Sequence, residues 1–225
     1  MPAWSQIVFW MFAFAATHMA MASLQLRPRL VAALGQQGYL GVYSLVSFAT
    51  FVPAVWIYLK HIHTGPLLWM LRDVPGMHTF AFALAAISFA FVIAAPTQPS
   101  PVSLTAGAGR TRAYGLTRIT RHPMFVWLGL WGLAHVLMNG YAADVAFFGG
   151  LFAVGLLGCM HQDTRKRVTE KGRLDGYFAE TSLVPFAAIA TGRNRLVLSE
   201  LPWPALAAGV IVALVLYSQH QRMFS

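Results

Sequence analysis

The chain has 225 residues, of which 57% are apolar and only 10% charged, with a mean hydropathy of +0.59. That balance, with its long uncharged runs, describes an all-α integral membrane protein, a helical bundle in which residues 1–225 form a single membrane domain. One cysteine excludes an intrachain disulfide framework, and the lack of a Cys-x-x-Cys-His run excludes covalently attached haem. The net charge of +9 is distributed among the loops between apolar runs, with no base-reading basic helix, so no nucleic-acid partner is expected.

Six apolar runs predict about six transmembrane helices, near residues 4–26, 39–59, 77–95, 123–140, 142–160 and 203–218. The first carries His18. No Lys or Arg precedes it while Arg27 and Arg29 follow, the reverse of a secretory signal, so it reads as a retained helix. The second is entered through Gly35, Gly38 and Gly41 and contains Pro53, which is expected to kink it. His61-x-His63 follows without a third ligand nearby and reads as exposed loop histidines. Pro96 ends the third run.

The polar loop 96–122 is flexible by composition up to Gly109 and then carries Arg110, Arg112, Arg118 and Arg121. Gly107-x-Gly109 is no phosphate loop, because no strand precedes it and no Lys-Ser/Thr follows. Proline suits the first turn of a helix, which sets the start of the fourth helix at Pro123. Asn139-Gly140-Tyr141 is a tight connection, and Gly149, Gly150, Gly155 and Gly158 give the fifth helix small residues for close contact. The first half of the second polar loop, 161–200, looks like a charged extension at the membrane surface. Leu183–Ala190 within the loop is too short to span and reads as interfacial or re-entrant. Trp203 and Tyr217 bracket the last run as interface anchors.

Thirteen of the 16 Lys and Arg residues follow helices one, three and five, while Lys60, Arg72 and Arg222 lie on the other side. The positive-inside rule therefore puts loops 96–122 and 161–200 in the cytoplasm and both termini on the non-cytoplasmic side.

All seven acids lie in loops or at helix ends, which weakens a proton-driven transporter. The intramembrane ionisable groups are His18 and His135. His135 lies 12 residues into its helix, or about 18 Å at 1.5 Å per residue, past the middle of a hydrocarbon layer roughly 30 Å thick. A polar side chain at that depth requires a partner. His18 lies roughly 12 Å in from the same side, so the two rings can oppose one another. Two neutral imidazoles in an apolar cavity suit the axial positions of a haem iron, and Arg118 and Arg121 suit its propionates. The bland alternatives are a backbone or hydroxyl partner for His135, lipid headgroups for the arginines, and helix packing along Gly129 and Gly132. That glycine strip admits either a neighbouring helix or a flat ligand. His122, about 220° around the helix from His135 at 100° per residue, sits at the surface and is expected to bind a polar group or cap local backbone.

The pattern His18…Arg27, Gly115-x-x-Arg118-Ile119-x-Arg121-His122-Pro123, Ala134-His135, Asn139-Gly140, Thr181-Ser182-x-x-Pro185-Phe186 and Gly192-Arg193 resembles the NnrU family over nearly the whole chain. The resemblance implies a small polytopic protein of the bacterial inner membrane with a role in nitrite and nitric-oxide metabolism (denitrification). The family also takes in a plant carotenoid isomerase, the 15-cis-zeta-carotene isomerase, which implies non-covalent haem b held by His18 and His135 and an apolar polyene as partner. His122 matches the Arg-His-Pro histidine of that enzyme. A more distant similarity to isoprenylcysteine carboxyl methyltransferases lies in the Arg-His-Pro helix start and the segment Gly172–Pro185. It implies S-adenosylmethionine near His122, but His161-Gln162-Asp163 is poorer in acids than that pattern. A non-enzymatic assembly factor for a membrane reductase is a further reading, with that nitrogen-oxide enzyme as partner.

Overall fold

The computed structural model describes residues 1–103 and 110–224, of which 220–224 in backbone only; Gly107 and Gly109 lie outside the described residues. The described residues are mainly helical, joined by turns and irregular links, with one antiparallel bridge between Leu67 and Tyr141. In chain order the helices are α1 (Ala3–Met21), α2 (Leu26–Lys60), α3 (Met77–Ala94), α4 (Leu116–Ile119), α5 (Pro123–Met138), α6 (Ala142–Asp144), α7 (Gly150–Thr169), α8 (Asp175–Glu180), α9 (Ala187–Ala190) and α10 (Trp203–Phe224). A π-helical turn, Val145–Gly149, joins α6 to α7.

Among the described residues three segments are long and apolar enough to cross a membrane, Leu26–Lys60, Met77–Thr97 and Ala142–Thr169, and Pro123–Met138 and Trp203–Gln219 are apolar but shorter. Their outward faces agree with a lipid solvent. On α2, Leu45, Phe48, Val52 and Trp56 stand more than half exposed, at the three- and four-residue steps that make one helix stripe. Such a stripe in water would be a large association patch, whereas against lipid tails it carries no penalty. The chain is a membrane helical protein.

The second helix begins earlier than its apolar run suggests. Ser23 Oγ accepts the amide of Leu26 at 3.1 Å, and Pro28 falls in the first turn, where its missing N–H is harmless. Arg27 and Arg29 therefore sit in a short helical piece instead of a loop. The interruption comes at Gly35, whose φ of 70° and ψ of 169° leave the helical region; Pro53 lies within helical backbone.

The chain forms two compact units, one of Met1–Ala81 with Gly132–His161, the other of Phe82–Trp131 with Gln162–Ser225. In the first, α1 and α2 pack as a hairpin against α6 and the π turn. Gly150 lets α7 approach Met11 of α1, because a Cβ there would lie 2.9 Å from the Met11 Cε. The wide π turn changes the helix register, and two consecutive side chains, Phe147 and Phe148, both become buried. Phe147 lies flat on Tyr58 of α2 (4.4 Å, 3°). The backbone of the same turn meets the glycine strip of α5 at Gly132, where a Cβ would lie 2.8 Å from the Phe148 carbonyl. Beside Gly132 the expected neighbouring helix is present.

In the second unit α10 lies on α3 through Gly209, where a Cβ would meet the Ala90 Cα at 2.6 Å, and Phe91 stacks on Trp127 of α5 at 4.2 Å. Ala94, Leu116 and Leu206 form one small core, and Val102, Leu174, Tyr177 and Phe178 another. The polar stretches 110–122 and 177–194 fold onto each other. Arg121 N donates to Ser182 O (2.7 Å), Thr120 Oγ1 to Leu183 O (2.7 Å) and Phe186 N to Ile119 O (2.8 Å).

Gly132→Ala should force α5 and the π turn apart and lower stability by about 1–3 kcal/mol, as overpacking does. A thermal melt in detergent checks this, and an unchanged midpoint would contradict the packing.

Candidate functional site

In the first unit His18 is held by two residues one turn apart on α2. Its Nδ1 lies 3.1 Å from Ser47 Oγ and its Nε2 lies 2.6 Å from the Tyr43 hydroxyl. The directions follow from the third bond in the chain. Ser47 Oγ donates its proton to the Tyr43 carbonyl at 2.8 Å, so it accepts from His18, and the imidazole carries its proton on Nδ1. Nε2 is then the lone-pair nitrogen and accepts the tyrosine proton. Phe14 packs on the ring at 5.0 Å and Phe51 on Phe14 at 5.1 Å, which keeps the surroundings apolar.

His135, in the same unit, stacks on Phe148 of the π turn at 4.4 Å and 24°. Near it Trp69 Nε1 donates to the Val136 carbonyl at 3.0 Å, tying the segment before α3 to the end of α5. A buried carboxylate joins them: Asp144, fully buried, accepts from the Tyr58 hydroxyl at 2.8 Å and pairs with His63 Nδ1 at 3.0 Å. His63 is the exposed turn residue expected, and it is also the partner of this carboxylate. No cluster of three or more His, Cys, Asp or Glu side chains able to hold a metal ion occurs among the described residues.

In the second unit the Arg-His-Pro corner is buried. Arg121, 5% exposed, binds Asp163 through Nη1, Thr181 Oγ1 through Nε (2.9 Å) and the Thr181 carbonyl through Nη2 (2.8 Å). His122, 3% exposed, meets the other oxygen of Asp163 through Nε2 at 2.7 Å. The Tyr177 hydroxyl donates to the Arg121 carbonyl at 3.2 Å and lies 3.0 Å from Ser100 Oγ; burial pushes it above the usual phenol range. His122 binds a polar group, as expected, but it is enclosed and not at the surface.

Arg118 forms a two-pronged bond to Glu200, Nε to Oε2 at 2.6 Å and Nη2 to Oε1 at 2.9 Å, and gives Nη1 to Asn194 Oδ1 at 2.8 Å. Its hydrogen bonds hold the Glu200 carboxyl below the usual range. Both arginines suited by charge to haem propionates are thus bound to protein carboxylates, Arg118 to Glu200 and Arg121 to Asp163.

Three residues of these candidate sites escape a reading of the sequence alone. Tyr43 and Ser47 were signalled by the polar positions Tyr39, Tyr43, Ser47 and Thr50 recurring through an apolar helix. Asp163 was signalled by charge balance, because two cations at one helix mouth call for one of only seven acids.

An all-helical protein with helices long enough to span a membrane, half-buried histidines on apolar helices and an Arg-His-Pro corner is defined by these features. The NnrU protein family model matches residues 6–225, and the chain belongs to the NnrU family. It is similar to two chloroplastic 15-cis-zeta-carotene isomerases, those of Zea mays and Arabidopsis thaliana. Each is 30% identical over 189 and 190 residues respectively, covering 81% of this chain and 50% of the relative, so the chain spans about half the length of these relatives. No solved structure matches.

Asp163→Asn keeps the size but leaves the Arg121 guanidinium buried without its counter-charge. Breaking a buried pair in this way should cost about 3–5 kcal/mol. The yield of monodisperse protein and its melting midpoint should both fall, and a variant melting like the wild type would refute the role of this pair.

Proposed function

We propose that this protein is a membrane cis–trans isomerase acting on apolar polyenes of the carotenoid class, with haem b held by His18 and His135. The observation that carries the reading is the 30% identity, over 81% of the chain, to relatives named for that activity. The chain's own residues support it. Cis–trans isomerisation conserves every atom of the substrate and calls for no polar binding group, in keeping with apolar rings around His18 and lipid-facing stripes through which such a substrate can enter.

The donor chemistry fits a haem iron. His18 has its Nδ1 proton fixed on Ser47, the outer hydrogen bond that metal-bound histidines characteristically make, and its Nε2 lone pair meets the Tyr43 hydroxyl, a group able to turn away. His135 lies on an apolar helix of the same unit, braced by Phe148. When bound, the group supplies an iron whose oxidation state can change within an apolar site. Ser47 sets the tautomer of the first ligand, the Tyr43 hydroxyl holds its lone pair otherwise, and Phe14 and Phe51 exclude water.

With this reading goes a topology of six spans in a bacterial cytoplasmic membrane, both termini on the non-cytoplasmic side. Its support is the excess of Lys and Arg in and around the loops after the first, third and fifth helices.

Purified protein in lipid nanodiscs, incubated in the dark with 15-cis-zeta-carotene under reducing conditions, should convert it to the 15-trans isomer, read by chromatography. His18→Ala and His135→Ala should each lower the rate at least 100-fold. A wild-type protein without conversion, or variants that convert as it does, would refute the proposal.

A further inference from the structure

We propose that the cavity beside His122 is a binding site for a membrane-soluble phenol or quinol, an apolar ring whose hydroxyl donates to His122 Nδ1. The cavity lies in the second unit and has a volume of about 350 Å³. Pro96, Pro99, Pro123, Met124 and Phe125 give it apolar walls, and His122 stands among them.

The state of the ring follows from its neighbour. Asp163 accepts from Arg121 with one oxygen and faces His122 Nε2 with the other, at 2.7 Å. A carboxylate can only accept, so Nε2 carries a proton, and in its neutral form the ring keeps its lone pair on Nδ1. Among the described residues no hydrogen bond reaches Nδ1. Among the described residues Nδ1 is not one of the fully enclosed side-chain atoms that lack a partner, so it borders open space, and the open space along this ring is the cavity. A histidine only 3% exposed thus offers one acceptor to a largely apolar slot.

Three features select the ligand. The volume, near the lower end of small-molecule sites, suits one substituted ring and not a carotenoid-length polyene. An imidazole lone pair calls for a hydroxyl donor, and a phenol gives up its proton more readily than an alkyl alcohol. The site also lies at the start of α5, 16 residues long, whose positive end favours the partial negative charge of a phenolic oxygen over an amine. The site is separate from the one proposed for isomerisation and does not depend on it.

The test uses the full chain in nanodiscs, titrated calorimetrically with trimethylhydroquinone, with its dimethyl ether, and with octanol, each against empty nanodiscs. The hydroquinone should bind above the lipid background, and the ether, which keeps the ring and loses the donors, about fivefold or more weaker, the worth of one hydrogen bond. Met124→Trp, which fills the slot from a 44% exposed wall position without touching the Asp163 network, should abolish binding while leaving the melting midpoint in place. Equal affinity for hydroquinone and ether, octanol binding as well as hydroquinone, unchanged binding in Met124→Trp, or no binding above lipid would each overturn the proposal.

Discussion

A guanidinium that is 5% exposed must be met by a negative charge and by acceptors for its remaining donors, and Arg121 satisfies that demand with Asp163 and the backbone of 178–181. Much of the second unit follows from it. Asp163 has to stand where α7 carries it beside the start of α5, Thr181 has to leave α8 at the right point, and the chain around Ser182 has to return its carbonyl to the Arg121 amide. The same carboxylate then orients His122. A charge pair of this kind contributes little net stability against an apolar alternative, but removing one partner is severely destabilising, so it acts as a constraint on where three distant stretches of chain must lie.

The first unit is organised by rings. The π turn buries Phe147 and Phe148 in succession, one against Tyr58 and the other against His135, and the glycine at position 132 admits its backbone. Polar groups in these apolar helices are paired within the protein: Asp144 with Tyr58 and His63, and His18 with Tyr43 and Ser47. That pairing is what an apolar solvent requires, since no water is present to satisfy an orphaned donor. At His18 it also selects one tautomer, with Nε2 as the acceptor.

Helix content and most helix positions were legible in the sequence because uncharged runs of membrane length leave few alternatives. The start of α5 at Pro123 was legible for the same reason that proline is tolerated there. The start of α2 was not, because Arg27 and Pro28 look like loop residues until Ser23 is seen to accept the Leu26 amide. The Arg-His-Pro corner was visible as a motif, but its partner Asp163 lies 41 residues away from His122, and only the folding of the two polar stretches brings them together. The surface position assigned to His122 failed on the same point, since a ring at a helix mouth is enclosed once another polar segment packs over it. Tyr43 and Ser47 were the nearest miss: their spacing places them on one face, and nothing but the tertiary packing of α1 against α2 tells that His18 is what they face.

The central claim is that His18 and His135 hold a haem iron. The visible absorption spectrum of the detergent-purified protein, oxidised and then dithionite-reduced, addresses it most directly. The account predicts a Soret band that sharpens on reduction and is lost in His18→Ala and in His135→Ala. A colourless protein even after haem is supplied during purification, or a Soret band that both variants retain, would contradict it.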